Sequence, residues 1–237
     1  MDLFSELQTV VYNDLTAGTE SSLFPSDTVK LAINRSYRKA GALFRWPQLE
    51  DAKKTSTVAS GEYYDYPETW RPDSIWKLEV GDEQYGETPD GSPLAFEDYL
   101  VWRRDEDNAS STDKKWANQK TRYFIYPVPT TNGSNNISIW GFKNVVTLSA
   151  DGDTTIFSYN MPECNEAIVL EAVAILKAKG EKEEPGAFRS AEAKQILISS
   201  YNKLKQEQNK YERNQPFFHV NDMFGRTNSS DNIGDFN

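Results

Sequence analysis

The sequence predicts an α+β protein: a helical bundle from N- and C-terminal helices, with an inserted antiparallel β subdomain and an extended C-terminal arm. Apolar residues recur at helical spacing in residues 1–50 and again in residues 161–214. Between them, in residues 51–160, short segments of strand-like residues are separated by Gly, Asn and Asp turns, which is typical of antiparallel sheets. Residues 215–237 show no apolar periodicity and are predicted to form the arm.

Two helices are predicted in residues 1–50. The first has four apolar residues, three or four positions apart, on one face: Phe4, Leu7, Val11 and Leu15. The second is predicted in FPSDTVKLAINRSYRKAGALFRWP, where Ser26 or Asp27 is expected to cap the first turn. Pro47 ends it, because the residue before a proline disfavours helical geometry.

The β insertion is predicted to contain several short strands and one short helix. STVASGEYYDYP predicts two strands around Gly61, SIWKLEVGDEQYG places a turn at Gly81-Asp82, and TRYFIYPVP predicts a strand that is buried or aromatic on both faces. The short helix is predicted in PLAFEDYLVWRRDED. The turn signals Asn132-Gly133 and Asp151-Gly152 predict two further hairpins.

Two more helices are predicted in residues 161–214. MPECNEAIVLEAVAILKAKGE has Pro162 in its first turn. Backbone N–H groups in a first turn have no partner within the helix, so a proline loses no hydrogen bond there. A long final helix follows Pro185. The first two helices cannot bury their apolar faces alone, so we expect residues 1–50 and 161–214 to form one discontinuous bundle.

Composition excludes several classes of function. The net charge of −10 argues against a protein that clamps nucleic acid by neutralising phosphates. A single cysteine permits no intrachain disulfide. The N-terminus has no signal-peptide pattern, and no apolar run is long enough to cross a bilayer, so we expect a protein kept in a reducing cytoplasm, without a membrane partner.

No enzyme site is predicted. The only histidine, His219, lies in the C-terminal segment, so paired Cys/His zinc ligands and a Ser–His pair in the folded part are ruled out. Cys164, at a helix start, is predicted to be a small buried residue. The loop DEDNASSTD lacks the third oxygen ligand and the glycine of a calcium loop, and no glycine-rich phosphate loop occurs. The sequence predicts no catalytic residue, metal or cofactor.

Six tryptophans leave an alternative function open, a carbohydrate-binding module with the β subdomain as its platform, because indole rings stack on sugar faces. Trp76 and Trp140 lie in strand patterns and are predicted to belong to the core. Trp116 lies in a polar stretch and is predicted to be exposed.

The C-terminal segment carries four phenylalanines in polar surroundings. Low hydrophobicity is what keeps such segments unfolded, so these aromatic residues favour an arm that becomes ordered on a partner. Fully extended, the arm spans about 80 Å, enough to lie along a neighbouring subunit. The predicted partner-binding residues are Phe217, Phe218, Met223, Phe224 and Phe236.

The order of these motifs resembles that of the head-to-tail adaptor proteins of tailed bacteriophages, also called connector or head-completion proteins. FPSDTVKLAINRSYRKAGALFRWP is similar to the family's second helix, and TSTVASGEYYDYPETWRPDSIWKLEV to its strand pair. SPLAFEDYLVWRRD is similar to its short helix, YFIYPVPTTNGSNNISIWGF to its Pro-x-Pro hairpin, and MPECNEAIVLEAVAILKAKGE to its third helix. The resemblance covers residues 2–200 and does not extend to the arm.

The resemblance implies a structural virion protein without enzyme activity, assembled in the host cytoplasm and located at the head–tail interface. Such proteins form a ring, often of twelve copies, beneath the portal, where they extend the DNA channel and provide a platform for the tail. The expected partners are the portal protein, the tail or next ring protein, and other copies of the chain. An acidic lumen repels the DNA backbone, so the genome is expected to pass without specific binding.

Overall fold

The computed structural model describes residues 3–15, 23–81, 83–86, 91–105, 113–178 and 187–214, and side chains as far as residue 208. These residues form five helices, α1 (Phe4–Asp14), α2 (Ser26–Leu43), α3 (Phe96–Arg104), α4 (Glu163–Lys177) and α5 (Ala191–Asn214). They also form seven strands, β1 (Glu50–Thr57), β2 (Tyr63–Asp65), β3 (Lys77–Val80), β4 (Glu83–Tyr85), β5 (Lys115–Gln119), β6 (Arg122–Tyr126) and β7 (Gly133–Phe142). The predicted α+β class, with antiparallel sheets, is confirmed.

Helix α4 lies at the centre of the helical part, where it contacts α1, α2 and α5. Its apolar residues are buried on nearly every side, because neighbouring helices surround it. The predicted packed face of α1 is confirmed, since all four of its apolar residues are buried: Phe4, Leu7, Val11 and Leu15. These residues belong to one hydrophobic cluster that includes side chains from α1, α2, α4 and α5.

The ends of α2 differ from the prediction. Pro25 occupies the N-cap position without a side-chain cap hydrogen bond, and Ser26 and Asp27 lie inside the first turn. The helix stops at Leu43, before the predicted end near Pro47. At this end Arg71, from the β part, donates hydrogen bonds to the carbonyl oxygens of Gly41 in the last turn and of Phe44 at the C-cap position. A cation at a helix C-terminus also interacts favourably with the helix dipole.

The strands form two sheets that share a hydrophobic core. One has the strand order β1-β7-β3-β4 and the other β2-β6-β5, and all pairings are antiparallel. Strand β6 is covered on both faces, as predicted: Tyr123 and Ile125 are buried in the shared core, while Phe124 and Tyr126 contact aromatic residues of α3. The ring centroids of Phe96 and Phe124 are 5.0 Å apart.

The two strands predicted around Gly61 are present, whereas the hairpin predicted at Asn132-Gly133 is wrong in its pairing. The strands on either side of Gly61 belong to different sheets, since β1 pairs with β7 and β2 with β6. Likewise the Asn132-Gly133 turn does not join paired strands, because β6 and β7 lie in different sheets. Both connections cross from one sheet to the other. The turns were therefore predicted correctly, but the pairing partner of each strand was not.

The Asp151-Gly152 turn is present, but the segments around it are not strands. Their backbone groups bond to the helical part instead. Asn34 of α2 accepts the N–H of Leu148 at 2.8 Å and donates to its carbonyl at 2.9 Å. The N–H of Phe4 donates to the carbonyl of Asp153 at 2.8 Å. These contacts satisfy the backbone without a sheet, which explains why no hairpin forms.

A buried carboxylate connects three helices. Glu171 of α4 is fully buried, and its Oε1 lies 3.0 Å from Nζ of Lys39 on α2. Its two oxygens also accept the N–H groups of Arg189 and Ser190 just before α5, at 2.8 to 3.1 Å. The hydroxyl of Ser190 in turn accepts the N–H of Ala193 in the first turn of α5. This carboxylate therefore fixes the start of α5 against α2 and α4.

We predict that Glu171→Gln lowers the free energy of unfolding by about 3–5 kcal/mol, the usual cost of removing one partner from a buried ion pair. An amide would remove the negative charge that faces Lys39 and would turn a donor toward groups that are themselves donors. Urea denaturation measures the loss. Glu166→Gln, an exposed position on the same helix, is the matched control and should change stability little. Equal effects of the two substitutions would contradict the role of Glu171 in holding the three helices together.

Candidate functional site

A groove runs along one side of α5. It lies between α5, the turn Pro47–Leu49 and the segment that precedes α4, and its volume is about 740 Å³. We call it the α5 groove. Residues that line it include Pro47, Gln48, Tyr159, Met161, Lys203 and Leu204.

The lining of the α5 groove mixes apolar and polar groups. The side chain of Tyr159 is 72% exposed, although it is a large aromatic residue. Glu163 accepts a hydrogen bond from the Ser200 hydroxyl at 3.4 Å, and Lys203 adds a positive charge. Oε1 of Gln48 is buried without a hydrogen-bond partner among the described residues. A concave surface of this kind suits a protein segment that supplies both apolar side chains and backbone donors.

Helix α5 continues beyond its packed part. Tyr201 stacks on Phe44 with the ring centroids 4.2 Å apart, and Leu204 is the last described side chain that contacts the helical core. Residues 205–208 are all exposed. The helix continues to Asn214, so about 15 Å of its length follows Leu204. This outer part leads directly into residues 215–237.

The predicted partner-binding residues lie outside the described part of the chain: Phe217, Phe218, Met223, Phe224 and Phe236. His219 lies outside it as well. The structure therefore neither brings these residues together nor separates them, and their role stays a prediction. What the structure adds is the position from which they start, at the end of α5 beside the α5 groove.

The thiol of Cys164 is buried, as predicted. Burial raises the pKa of Cys164 to about 11, although a hydrogen bond with Ser200 opposes the shift. The thiolate, which is the nucleophilic form, is therefore scarce at neutral pH. Within the described ranges, no group of three His, Cys, Asp or Glu side chains is placed to hold a metal ion.

The predicted exposure of Trp116 is wrong. Its side chain is completely buried, and its Nε1 donates to the carbonyl of Gly91 at 2.9 Å. Trp116 lies opposite Ile125 in the β5–β6 register and belongs to the core that the two sheets share, while its neighbours Lys115 and Ala117 lie on the other face of the strand. The residue chosen as a platform for sugar stacking is not accessible.

Trp76 and Trp140, predicted to be core residues, are only half-buried. Trp76 packs against the helical core, at the boundary between the two parts of the structure. Trp140 lies on the outer face of the four-stranded sheet, where Nζ of Lys77 is 4.5 Å from the centre of its ring. The strand position of Trp140 was predicted correctly, whereas Trp76 lies just before β3, and both residues lie at the margin of a core.

The sequence analysis missed Tyr159 and with it the α5 groove. The segment around Tyr159 was assigned to a hairpin, and tertiary contacts with the helices override that assignment. The available signal was an aromatic residue between Ser158 and Asn160, just before Pro162 at the start of a helix. Polar neighbours in a turn place such a side chain near the surface.

Neither a protein-family model nor a characterised protein sequence matches the chain. Among the described residues, no helix is both long enough and apolar enough to span a bilayer. Function must therefore be argued from the residues and their arrangement.

We predict that Cys164 in the native protein reacts with iodoacetamide at pH 8 at least about tenfold more slowly than in the urea-unfolded chain, because burial raises its pKa and blocks access. The rate should rise as the pH approaches 11. Mass spectrometry of the labelled protein measures both rates. Ser199→Cys, which adds an exposed thiol on α5, is the control. Equal labelling of Cys164 and the control thiol would show that the site is open.

Proposed function

We propose that this protein is a head-to-tail adaptor of a tailed bacteriophage, a structural virion protein that forms a ring beneath the portal. The resemblance of the motifs in residues 2–200 supports the proposal. So does the order of the elements, with two helices, strands with one short helix among them, and two further helices. In this proposal the first and last helices form the bundle, and the β part is inserted between them.

The observation that carries the proposal is the outer part of α5. An isolated helix of about ten residues is marginal in water, since most helical stability in proteins comes from packing of an apolar face. Residues 205–208 are nonetheless helical, with exposed side chains in the single chain. A neighbouring protein that covers this helix would account for its length. The phenylalanine-rich arm follows at the point where such a partner would lie.

The arm is proposed to become ordered on the portal or on an adjacent copy, through its phenylalanines and Met223. Aromatic side chains supply large apolar contact areas and dominate the energetics of many interfaces. Because the arm is polar between these residues, it would remain soluble before assembly. Binding would then fix the ring in place and present a platform for the tail or the next ring protein.

The net charge of −10 supports the proposed role of the ring as a DNA channel. A lumen with excess negative charge repels the phosphate backbone, so the genome passes without being held. The proposed function needs no catalytic residue, metal or cofactor.

Removal of residues 215–237 is expected to leave a folded protein that no longer joins the portal. A finer variant replaces Phe217, Phe218 and Phe224 by Ser. Each buried phenylalanine contributes about 1.5–3 kcal/mol, so this variant should bind the portal protein at least about a hundredfold more weakly. Biolayer interferometry with immobilised portal protein measures the affinity, and electron microscopy of the mixture shows whether rings form.

The matched control replaces three polar arm residues, Asn228, Ser229 and Ser230, by Ala. This variant keeps the length of the arm and all its aromatic residues, so it should bind like the wild type. Circular dichroism verifies that all variants are folded. If the truncated protein still formed rings on the portal, the role of the arm would be wrong; if the wild type formed none, the adaptor proposal itself would be wrong.

A further inference from the structure

A second groove, with a volume of about 390 Å³, lies between α1 and α4. We call it the α1–α4 groove. Its floor is apolar, formed by Leu7, Val10 and Leu170, and its rim is acidic, formed by Glu6, Asp14 and Glu166. Val10 is 45% exposed there. No lysine or arginine is among the described residues that line this groove.

The acidic groups on the rim differ in how easily they can pair with a cation from a partner. Oε2 of Glu6 accepts the N–H of Leu3 at 2.7 Å and so helps to begin α1. Asp14 and Glu166 are exposed, one near the end of α1 and the other in the first turn of α4. An apolar floor with an uncompensated negative rim favours a partner surface that combines an apolar side chain with cations.

Helix α2 carries such a surface on the side opposite its buried residues. Leu31, Arg35 and Arg38 are exposed and recur at spacings of four and three, so they share one face. We call them the α2 stripe. Leu31 is 48% exposed, which is high for a leucine in the middle of a helix. Nε of Arg38 lies 3.4 Å from the carbonyl oxygen of Asn34, and Asp27 lies at the N-terminal end of the same face.

The α2 stripe and the α1–α4 groove agree in length as well as in charge. From Leu31 to Arg38 the stripe is about 10 Å long, and from Glu6 to Asp14 the rim is about 12 Å long. The leucine matches the apolar floor, and the two arginines match the exposed carboxylates of Asp14 and Glu166.

We propose that the α2 stripe of one copy of this chain docks in the α1–α4 groove of the next copy. This inference rests on the proposed function and specifies the contact that would build the ring. The two surfaces are different, so the contact is heterologous: every copy offers one of each, and repeated docking forms a ring if the rotation closes. Leu31 is the apolar centre of the contact. The arginines of the α2 stripe and the carboxylates of the groove rim fix the register of the two surfaces.

Cross-linking tests the contact without any portal protein. Asn13→Cys and Ala42→Cys place one exposed thiol at the edge of each surface and keep the apolar residues of the contact, and the native Cys164 is buried. Mixed and treated with a short bismaleimide, the two variants should give a covalent dimer with a mass of twice 27.0 kDa. The yield should exceed by about tenfold that of Asn13→Cys mixed with Val101→Cys, a control with an exposed position on α3.

Charge reversal then tests the register. R35E/R38E in the Ala42→Cys protein should lower the cross-linked yield about tenfold, because like charges would face each other across the contact. D14K/E166K in the Asn13→Cys protein should restore the yield when the two reversed proteins are mixed. If reversal has no effect, or the second pair fails to restore the yield, this contact does not exist, and a basic segment of another protein becomes the better occupant of the groove.

The experiments distinguish a failure of this inference from a failure of the proposed function. If the wild type forms rings on the portal and the charge-reversed proteins do so equally well, the adaptor role stands and the contact is wrong. If cross-linking behaves as expected but no ring forms on the portal, the chain associates with itself for another purpose. Each result overturns one statement and leaves the other standing.

Discussion

The helical part depends on the carboxylate of Glu171, which is buried in the centre and touches both halves of the chain that surround the β part. Through Lys39 it holds α2, and through the N–H groups of residues 189 and 190 it holds the start of α5. A buried charge is costly unless it is paired and fully hydrogen-bonded, and this one has several partners. Because few other arrangements satisfy the carboxylate, it selects one relative placement of three helices.

Arg71 plays a comparable role between the helical and β parts. It donates to carbonyl oxygens of Gly41, Phe44 and Lys143, and its own N–H donates to Phe142. Burial lowers the pKa of Arg71, yet the guanidinium remains charged at any physiological pH. The β part thus supplies the cap that ends α2. The two parts are joined by a charged group with fixed geometry, in addition to apolar contact.

How much of the fold the sequence predicts depends on the range of the interactions involved. Helices were predicted well because the spacing of apolar residues such as Phe4, Leu7 and Val11 is visible within a short stretch of the sequence. Strand pairing was predicted poorly because the partner of each strand is set by the shared core of two sheets, as the burial of Trp116 shows. The α5 groove could not be predicted, since its walls come from segments more than a hundred residues apart. Residues 215–237, which carry the predicted binding residues, are not described.

The charge of the chain limits how copies can associate. At −10 per copy, any ring accumulates a large repulsion, which opposes assembly until a partner binds or local contacts compensate. Surface charges further apart than about 8 Å are largely screened at physiological salt, so only groups at a contact act strongly. In the proposed contact, carboxylates of α1 and α4 on one copy meet cations of α2 on the next. The exposed cations of α2 would therefore offset the repulsion locally, and in the proposed ring the rest of the acidic surface would remain free to face DNA.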